Sequence, residues 1–174
     1  METTLKEKSL QHQAEGLTTG AAAATASTAA LSPEELERER AFNELDGRVV
    51  AALRAANDRK AINITVLDVR EVSSFTEYFV ITSGTNTRQV QAISDAVQET
   101  LKKQQGARVS RVEGYNTAEW ILLDYGDFVM HVFEDKARKF YDLERLWRDG
   151  KKIVLPAEFH DPFAGITAQE TIVE

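Results

Sequence analysis

The chain has 174 residues, a formal net charge of −7, 43% hydrophobic residues and no cysteine. This length suits one domain with additional sequence, and the lack of cysteine excludes a disulfide framework, thiolate catalysis and cysteine-ligated zinc. No apolar run approaches the roughly 18 residues that indicate a membrane span, and the acidic N-terminus is unlike a signal or transit peptide. We therefore expect a cytoplasmic protein that does not enter a membrane.

The negative charge is concentrated near the N-terminus. Residues 1–46 carry a net charge of −5, whereas residues 47–174 carry only −2. Proteins that hold nucleic acid by its phosphates normally present a basic face. A nearly neutral globular part makes direct, sequence-specific RNA or DNA binding a poor first hypothesis.

The first 46 residues are predicted to form an acidic, largely disordered extension. Residues 20–30 are almost only alanine, threonine and serine, so they have no large apolar side chain whose burial would offset the entropy of ordering. A helix is predicted to start at Ser32, because serine is a good N-cap, Pro33 suits the first helical position and Glu35 stands three residues after the cap. Gly47 then weakens the helical pattern, which indicates a second helix over residues 47–57.

The next elements in chain order alternate between strand and helix. Ile64–Val69 is typical of a strand, and Tyr78–Thr82 is apolar on both faces, which predicts a central strand covered by helices. After a turn, Asn86 can cap a helix whose apolar stripe repeats at helical spacing. Gly106 is placed to end that helix.

The second half of the chain predicts three more strands and a closing helix. Val109 and Val112 belong to a short polar strand at an edge of the sheet. Two apolar strands, Trp120–Leu123 and Phe128–Phe133, are joined by a four-residue turn into a hairpin. A last helix is predicted from about Asp135 to Arg148.

This order of elements predicts an α/β fold, with a mixed sheet of about five strands flanked by helices. Residues 47–153 are predicted to form the folded domain. Residues 154–174 show no clear element, and we expect them to form a partly docked tail.

The sequence contains no pattern typical of a metal or cofactor site. His12, His131 and His160 have no ligand spacing, and His131 alternates with apolar neighbours in a predicted strand, so we interpret it as a buried sheet histidine. A Gly-x-Ser-x-Gly elbow, which would support a hydrolase, is also absent. We therefore expect neither metal nor cofactor.

One enzymatic pattern, that of nucleotidyl transfer, is present in part. A strand followed by Ser83-Gly84 and a helix start could cradle a phosphate. Such enzymes also need carboxylates that hold two metal ions close together. Asp127 opens a suitable strand, but its partner two residues on is Val129, and Asp124 lies on the other arm of the hairpin. The catalytic carboxylate set is therefore incomplete, and we expect no enzymatic activity.

The hairpin is instead a candidate docking surface, because both of its faces are apolar. One face must pack on the core, and the other either packs on a helix or stays open for a partner. Trp and Tyr are the residue types most often found as interface hot spots. The candidate partner-binding residues are Trp120, Leu122, Asp124, Tyr125 and Met130, and a position in the core is the alternative for each.

The hairpin also carries a family resemblance. Residues Glu119–Phe133 resemble the signature of the ribosomal silencing factor family, also called the Iojap family. Further matches occur in order and at matching spacing over about Gly47–Ile153: Asp68-Val69, Tyr78–Ile81, Ser83-Gly84, Arg88–Val90, Glu113-Gly114 and Phe140–Trp147.

This resemblance implies a fold related to nucleotidyltransferases but without their activity. It further implies binding to the large ribosomal subunit through its fourteenth protein, where family members block joining with the small subunit and repress translation when nutrients are scarce. Some members form homodimers. An active nucleotidyltransferase and a dimeric scaffold with another partner remain the alternative hypotheses.

Overall fold

The computed structural model describes residues 31–160. The expected disorder of residues 1–30, the position of His12 and the last part of the predicted tail, residues 161–174, lie outside the described residues. Residues 31–160 form a six-stranded mixed sheet with helices on both faces, which confirms the predicted α/β class. Within this range, no helix combines the length and the apolar character that crossing a lipid bilayer requires.

Two helices precede the sheet, α1 at Pro33–Asn43 and α2 at Gly47–Asp58. Ser32 and Glu35 form a capping box at the start of α1. The Ser32 hydroxyl accepts the Glu35 N–H at 3.3 Å, and the Glu35 carboxylate accepts the Ser32 N–H at 2.7 Å. The serine and the carboxylate thus satisfy two N–H groups that the helix itself leaves without partners.

The end of helix α1 and the turn after it contribute to the hydrophobic core. Phe42 and Leu45 are buried, and the Phe42 ring centroid lies 5.2 Å from that of Phe159. A boundary at residue 46, as expected from the composition, would separate these two side chains from the core they share with the sheet.

The strand order of the sheet is β3-β4-β5-β2-β1-β6. Only β2 and β5 are parallel, and every other neighbouring pair is antiparallel. The strands are β1 at Ile62–Asp68, β2 at Tyr78–Gly84, β3 at Arg111–Glu113, β4 at Trp120–Asp124, β5 at Phe128–Glu134 and β6 at Lys151–Ile153.

Strand β2 lies in the middle of the sheet and all its residues are buried, which confirms the prediction of a central strand. The helix that follows, α3, spans Thr87–Gln105. Its start is capped by the Asn86 side chain, which accepts the Gln89 N–H at 2.9 Å, and it ends at Gly106 in the left-handed conformation, as predicted. Helices α2 and α3 cover one face of the sheet, and their apolar stripes form the larger of its two cores.

The predicted hairpin is also confirmed, since β4 and β5 pair along their length. Gly126 in the turn has a φ of 84°, a left-handed value that favours glycine. The edge strand β3 was predicted at Val109 and Val112, and it includes only the second of these residues.

The sixth strand and the 3₁₀ turn after it were not predicted. Strand β6 has three residues, two of them exposed lysines, so it lacks the apolar alternation that marks a strand. A short 3₁₀ turn at Ala157–Phe159 follows, in the region expected to be a tail without a clear element. Leu155 and Phe159 from this region are buried in the larger core.

The closing helix is interrupted and shorter than predicted. It forms α4 at Asp135–Tyr141 and α5 at Leu143–Leu146, separated by Asp142 with a φ of 45°. Aspartate is one of the few residue types that tolerate this left-handed conformation. Phe140, near the end of α4, is exposed, whereas Leu143 on α5 is buried.

Candidate docking surface

The two faces of the sheet are covered unequally. Helices α2 and α3, with 12 and 19 residues, cover one face. Helices α4 and α5, with seven and four residues, are the helices that pack on the opposite face, which we call the open face. The buried side chains on the open face form a separate, smaller cluster: Leu67, Val69, Phe79, Ile81, Val129, Phe133 and Leu143.

Aromatic rings lie side by side across the open face. The Trp120 ring stacks on Phe133 and also contacts Tyr141, with centroid distances of 4.9 Å in both cases. On the other side of the sheet centre, Trp147 packs edge to face against Phe79 at 5.0 Å. His131 connects the two groups, with its ring 5.8 Å from Trp120 and 5.1 Å from Phe79.

The outer members of this row are exposed to solvent. Phe75 contacts Trp147 at 6.0 Å and has 64% of its surface exposed. Phe140 contacts Tyr141 at 5.1 Å and is 81% exposed. Leu146, on α5 in the same layer, is 75% exposed. A contiguous group of exposed apolar side chains is typical of a surface that meets a partner.

The buried His131 side chain orients Trp120 through a hydrogen bond. Its ring is 4% exposed, and its Nδ1 atom accepts a hydrogen bond from the Trp120 indole N–H at 3.1 Å. Burial lowers the pKa of His131 to about 4, because a charged imidazolium would be poorly solvated there. The neutral ring can therefore act as an acceptor at pH 7. The prediction of a buried sheet histidine is confirmed.

Three of the candidate partner-binding residues are half-buried and lie on β4. Trp120 and Leu122 pack against the smaller cluster, so they belong to the open face. Asp124 ends the strand, and its Oδ1 atom accepts the N–H of Gly126 at 2.8 Å. Its carboxylate thus shapes the hairpin turn at the rim of the face.

The other two candidates, Tyr125 and Met130, lie on the face that α2 and α3 cover. Met130 is fully buried in the larger core. Tyr125 is buried too, where it stacks on Phe128 at 4.9 Å, and burial raises the pKa of its hydroxyl to about 12. The sequence grouped them with Trp120 because both faces of the hairpin are apolar. The structure places them in the core instead of on the open face.

Sequence reasoning missed the most exposed residues of the surface. Phe140 and Tyr141 were not among the candidate partner-binding residues, because they fall within the predicted closing helix. Phe75 lies in the segment between β1 and β2, where no pattern marks it. The available signal was the density of aromatic residues near the closing helix.

The pieces of the nucleotidyl-transfer pattern serve structural roles. Asp127 forms an ion pair with Arg48 at 2.5 Å, and Arg48 also pairs with Asp46 at 2.8 Å. The Ser83 hydroxyl accepts a hydrogen bond from Arg138 at 3.0 Å. Among residues 31–160, no group of three or more histidine, aspartate or glutamate side chains is placed to hold a metal ion.

Comparison with known proteins decides the family. Residues 43–171 match the family model described as "Ribosomal silencing factor during starvation". The chain belongs to the ribosomal silencing factor family. This family is defined by a role at the ribosome and is not a known class of enzymes.

Relatives in bacteria and in a plant organelle share this similarity. The ribosomal silencing factor of Halalkalibacterium halodurans is 38% identical over 104 residues, which are 60% of this chain and 88% of that protein. That of Bacillus subtilis is 39% identical over 98 residues, 56% and 82% of the two chains. The chloroplast protein Iojap of Zea mays is 36% identical over 109 residues, 62% of this chain and 46% of the maize protein.

Solved structures support the fold. A crystal structure of a Chromobacterium violaceum protein superimposes with a TM-score of 0.56 at 35% identity, covering 58% of this chain and 83% of that one. A second, from Bacillus halodurans, gives a TM-score of 0.52 at 37% identity and covers 57% of this chain and 91% of that one. In both superpositions, more than a third of this chain lies outside the aligned region.

The depressed pKa of His131 predicts a specific dependence of stability on pH. Between about pH 6.5 and pH 4, the unfolded chain binds a proton that the folded chain does not. The contribution of neutral His131 to the free energy of unfolding is therefore complete above pH 6.5 and is lost as the pH falls towards 4. The free energy of unfolding, measured with urea at pH 7 and pH 4.5, should fall by about 2–3 kcal/mol more in the wild type than in His131→Gln.

His160→Gln provides the matched control, because His160 is exposed. It should show the same pH dependence as the wild type. If His131→Gln loses as much stability between the two pH values as the wild type does, the ring is not held neutral by burial.

Proposed function

We propose that the chain is a ribosomal silencing factor that uses the open face to dock on the large ribosomal subunit, through its fourteenth protein. The observation that carries this proposal is the row of partly exposed aromatic side chains left by the two short helices α4 and α5. Membership of the family supports the ribosome as the partner. The contact residues that we infer are Trp120, Leu122 and Asp124 on β4, joined by Phe75, Phe140, Tyr141 and Leu146.

The chemistry of the open face favours a protein over RNA as the direct contact. The face is apolar and aromatic, and residues 47–174 carry a net charge of only −2. Two of the three cations of α4 are already paired: Lys139 with Asp135 at 2.8 Å, and Arg138 with Glu144. Such a surface gains little from phosphate neutralisation. It gains more by burying aromatic anchors in a protein patch, with a polar rim around them.

The proposed mechanism is obstruction without catalysis. A bound domain that covers part of the joining face prevents the small subunit from approaching for as long as it stays bound. Its effect therefore depends on occupancy and on the dissociation rate, which is the rate that interface side chains change most. Repression of translation under nutrient limitation follows when enough large subunits are occupied.

We infer that nucleotidyl transfer plays no part in this mechanism. Asp127 is engaged with Arg48, and Asp124 closes the hairpin turn. The position two residues after Asp127, on β5, is the apolar Val129. Two metal ions would need several carboxylates at one place. Incorporation of labelled nucleotide that is lost in Asp127→Asn would contradict this inference.

A homodimer is the other association to consider, because the open face is also available to a second copy of the chain. We propose that self-association and docking on the ribosome would then compete for the same aromatic side chains. Sedimentation of the free protein across a range of concentrations tests this. Dimerisation that is unaffected by Phe140→Ala would contradict it.

Two exposed apolar residues of the open face provide a direct test of docking. Phe140→Ala and Leu146→Ala should each weaken binding to isolated large subunits about tenfold, or roughly 1.4 kcal/mol. Leu36→Ala is the matched control, since Leu36 is exposed on α1 and outside the open face. Co-sedimentation gives the dissociation constants, and circular dichroism checks that all three variants stay folded. Equal affinities for Leu146→Ala and Leu36→Ala would exclude docking through the open face.

Obstruction predicts that the order of mixing matters. Protein incubated with large subunits before small subunits are added should lower the yield of complete ribosomes in a sucrose gradient. The same amount added after joining should have less effect, because the docking surface on the large subunit is then covered. If the protein binds large subunits but both orders give the yield of the protein-free reaction, the obstruction mechanism fails.

A further inference from the structure

We propose that Arg138 is a positioning residue, which fixes α4 and α5 on the sheet and thereby sets the orientation of Tyr141 against Trp120. This inference rests on the proposed function, since it explains how the open face is kept ready for docking. Arg138 is 8% exposed although it carries a charge and lies on a helix of seven residues. Its burial therefore requires an explanation in terms of its partners.

The guanidinium group of Arg138 donates to four different residues. Its Nη1 atom donates to the carbonyl of Asn63 and to the Ser83 hydroxyl, the latter at 3.0 Å. Its Nη2 atom donates to the Thr65 hydroxyl at 3.3 Å and to the Glu144 carboxylate, which also accepts from Nε at 2.9 Å. One side chain thus connects β1, β2, α4 and α5.

An irregularity in β1 supplies one of these acceptors. Ile62 pairs with Ser83 and Thr65 pairs with Ile81, so β1 has one residue more than β2 over this stretch. This is a β-bulge, which leaves backbone groups without a ladder partner. Asn63 lies within it with a φ of 51°, and its carbonyl accepts from Arg138. The bulge therefore turns a backbone acceptor towards α4.

Arg138 and Glu144 bracket the break between the two helices. Arg138 lies on α4, Glu144 lies on α5, and the left-handed Asp142 stands between them. Helices of seven and four residues are too short to be stable alone. The ion pair across the break, together with the burial of Leu143, therefore fixes the angle between α4 and α5.

The same geometry places Tyr141 at the docking surface. Tyr141 is the last residue of α4, and its ring lies 4.9 Å from that of Trp120. A change in the angle of α4 would move Tyr141 off Trp120 and alter the shape of the open face. Lysine cannot replace arginine here, because its ammonium has three donors and no planar fork to reach four acceptors.

Quenching of Trp120 fluorescence tests the positioning role without a ribosome. The chain has two tryptophans, so Trp147→Phe leaves Trp120 as the only emitter. In that background Arg138→Lys should raise the acrylamide quenching constant about twofold, because Tyr141 no longer covers the indole ring. Lys139→Gln, which changes the neighbouring exposed cation, should leave the constant unchanged. An unchanged constant in Arg138→Lys would overturn the inference.

Binding to large subunits tests its consequence for docking. Arg138→Lys should weaken binding about tenfold in the wild-type background and less than about threefold when Tyr141→Ala is already present. A role confined to general stability would give the same loss in both backgrounds and would overturn the inference. If Arg138→Lys does not fold, Glu144→Gln takes its place in both experiments with the same expected results. Failure of the wild type to bind would sink the proposed function, while the quenching result would still decide the role of Arg138.

Discussion

The fold depends on covering two apolar faces of one central sheet. Strand β2 is buried along its whole length, and β5 beside it is buried except at its last residue. Both faces must therefore be shielded from water, which is the dominant contribution to stability. Helices α2 and α3 shield one face with 31 residues between them, whereas α4 and α5 bring 11 to the other. Because less helix covers the second face, apolar side chains stay partly exposed there.

Aromatic side chains partly compensate for the smaller amount of helix on the open face. Trp120, Phe79 and Trp147 are large enough to cover strand backbone themselves, and they contact one another through His131 and Phe133. Such rings combine large contact area with few rotatable bonds, which lowers the entropic cost of fixing them against a partner. The same packing that completes the fold thus leaves apolar rings at the surface, with Arg138 holding the short helices in place.

Local signals in the sequence were sufficient to predict most of the helices and strands, but insufficient to assign side chains to the covered or the open face of the sheet. The Ser32 and Asn86 caps, the apolar run of β2 and the hairpin were predictable, because each is encoded by adjacent residues. The break at Asp142 was not, since no glycine or proline marks it and the left-handed φ of 45° falls on an aspartate within an apparently helical stretch. Strand β6 is too short and polar to be recognised. Tyr125 and Met130 were grouped with Trp120 because both faces of the hairpin are apolar. The alternation of side chains along a strand separates these faces, but it does not show which of them the helices cover.

Hydroxyl-radical footprinting of the aromatic side chains tests docking through the open face most directly. Oxidation of Phe75, Phe140 and Tyr141 is measured by mass spectrometry, with and without saturating large subunits. These three residues should become protected, because all are exposed on the open face of the free protein. Leu36, exposed on α1, should be oxidised equally in both samples. Protection of Leu36 with unchanged oxidation of Phe140 and Tyr141 would contradict the account, since the ribosome would then bind elsewhere on the molecule.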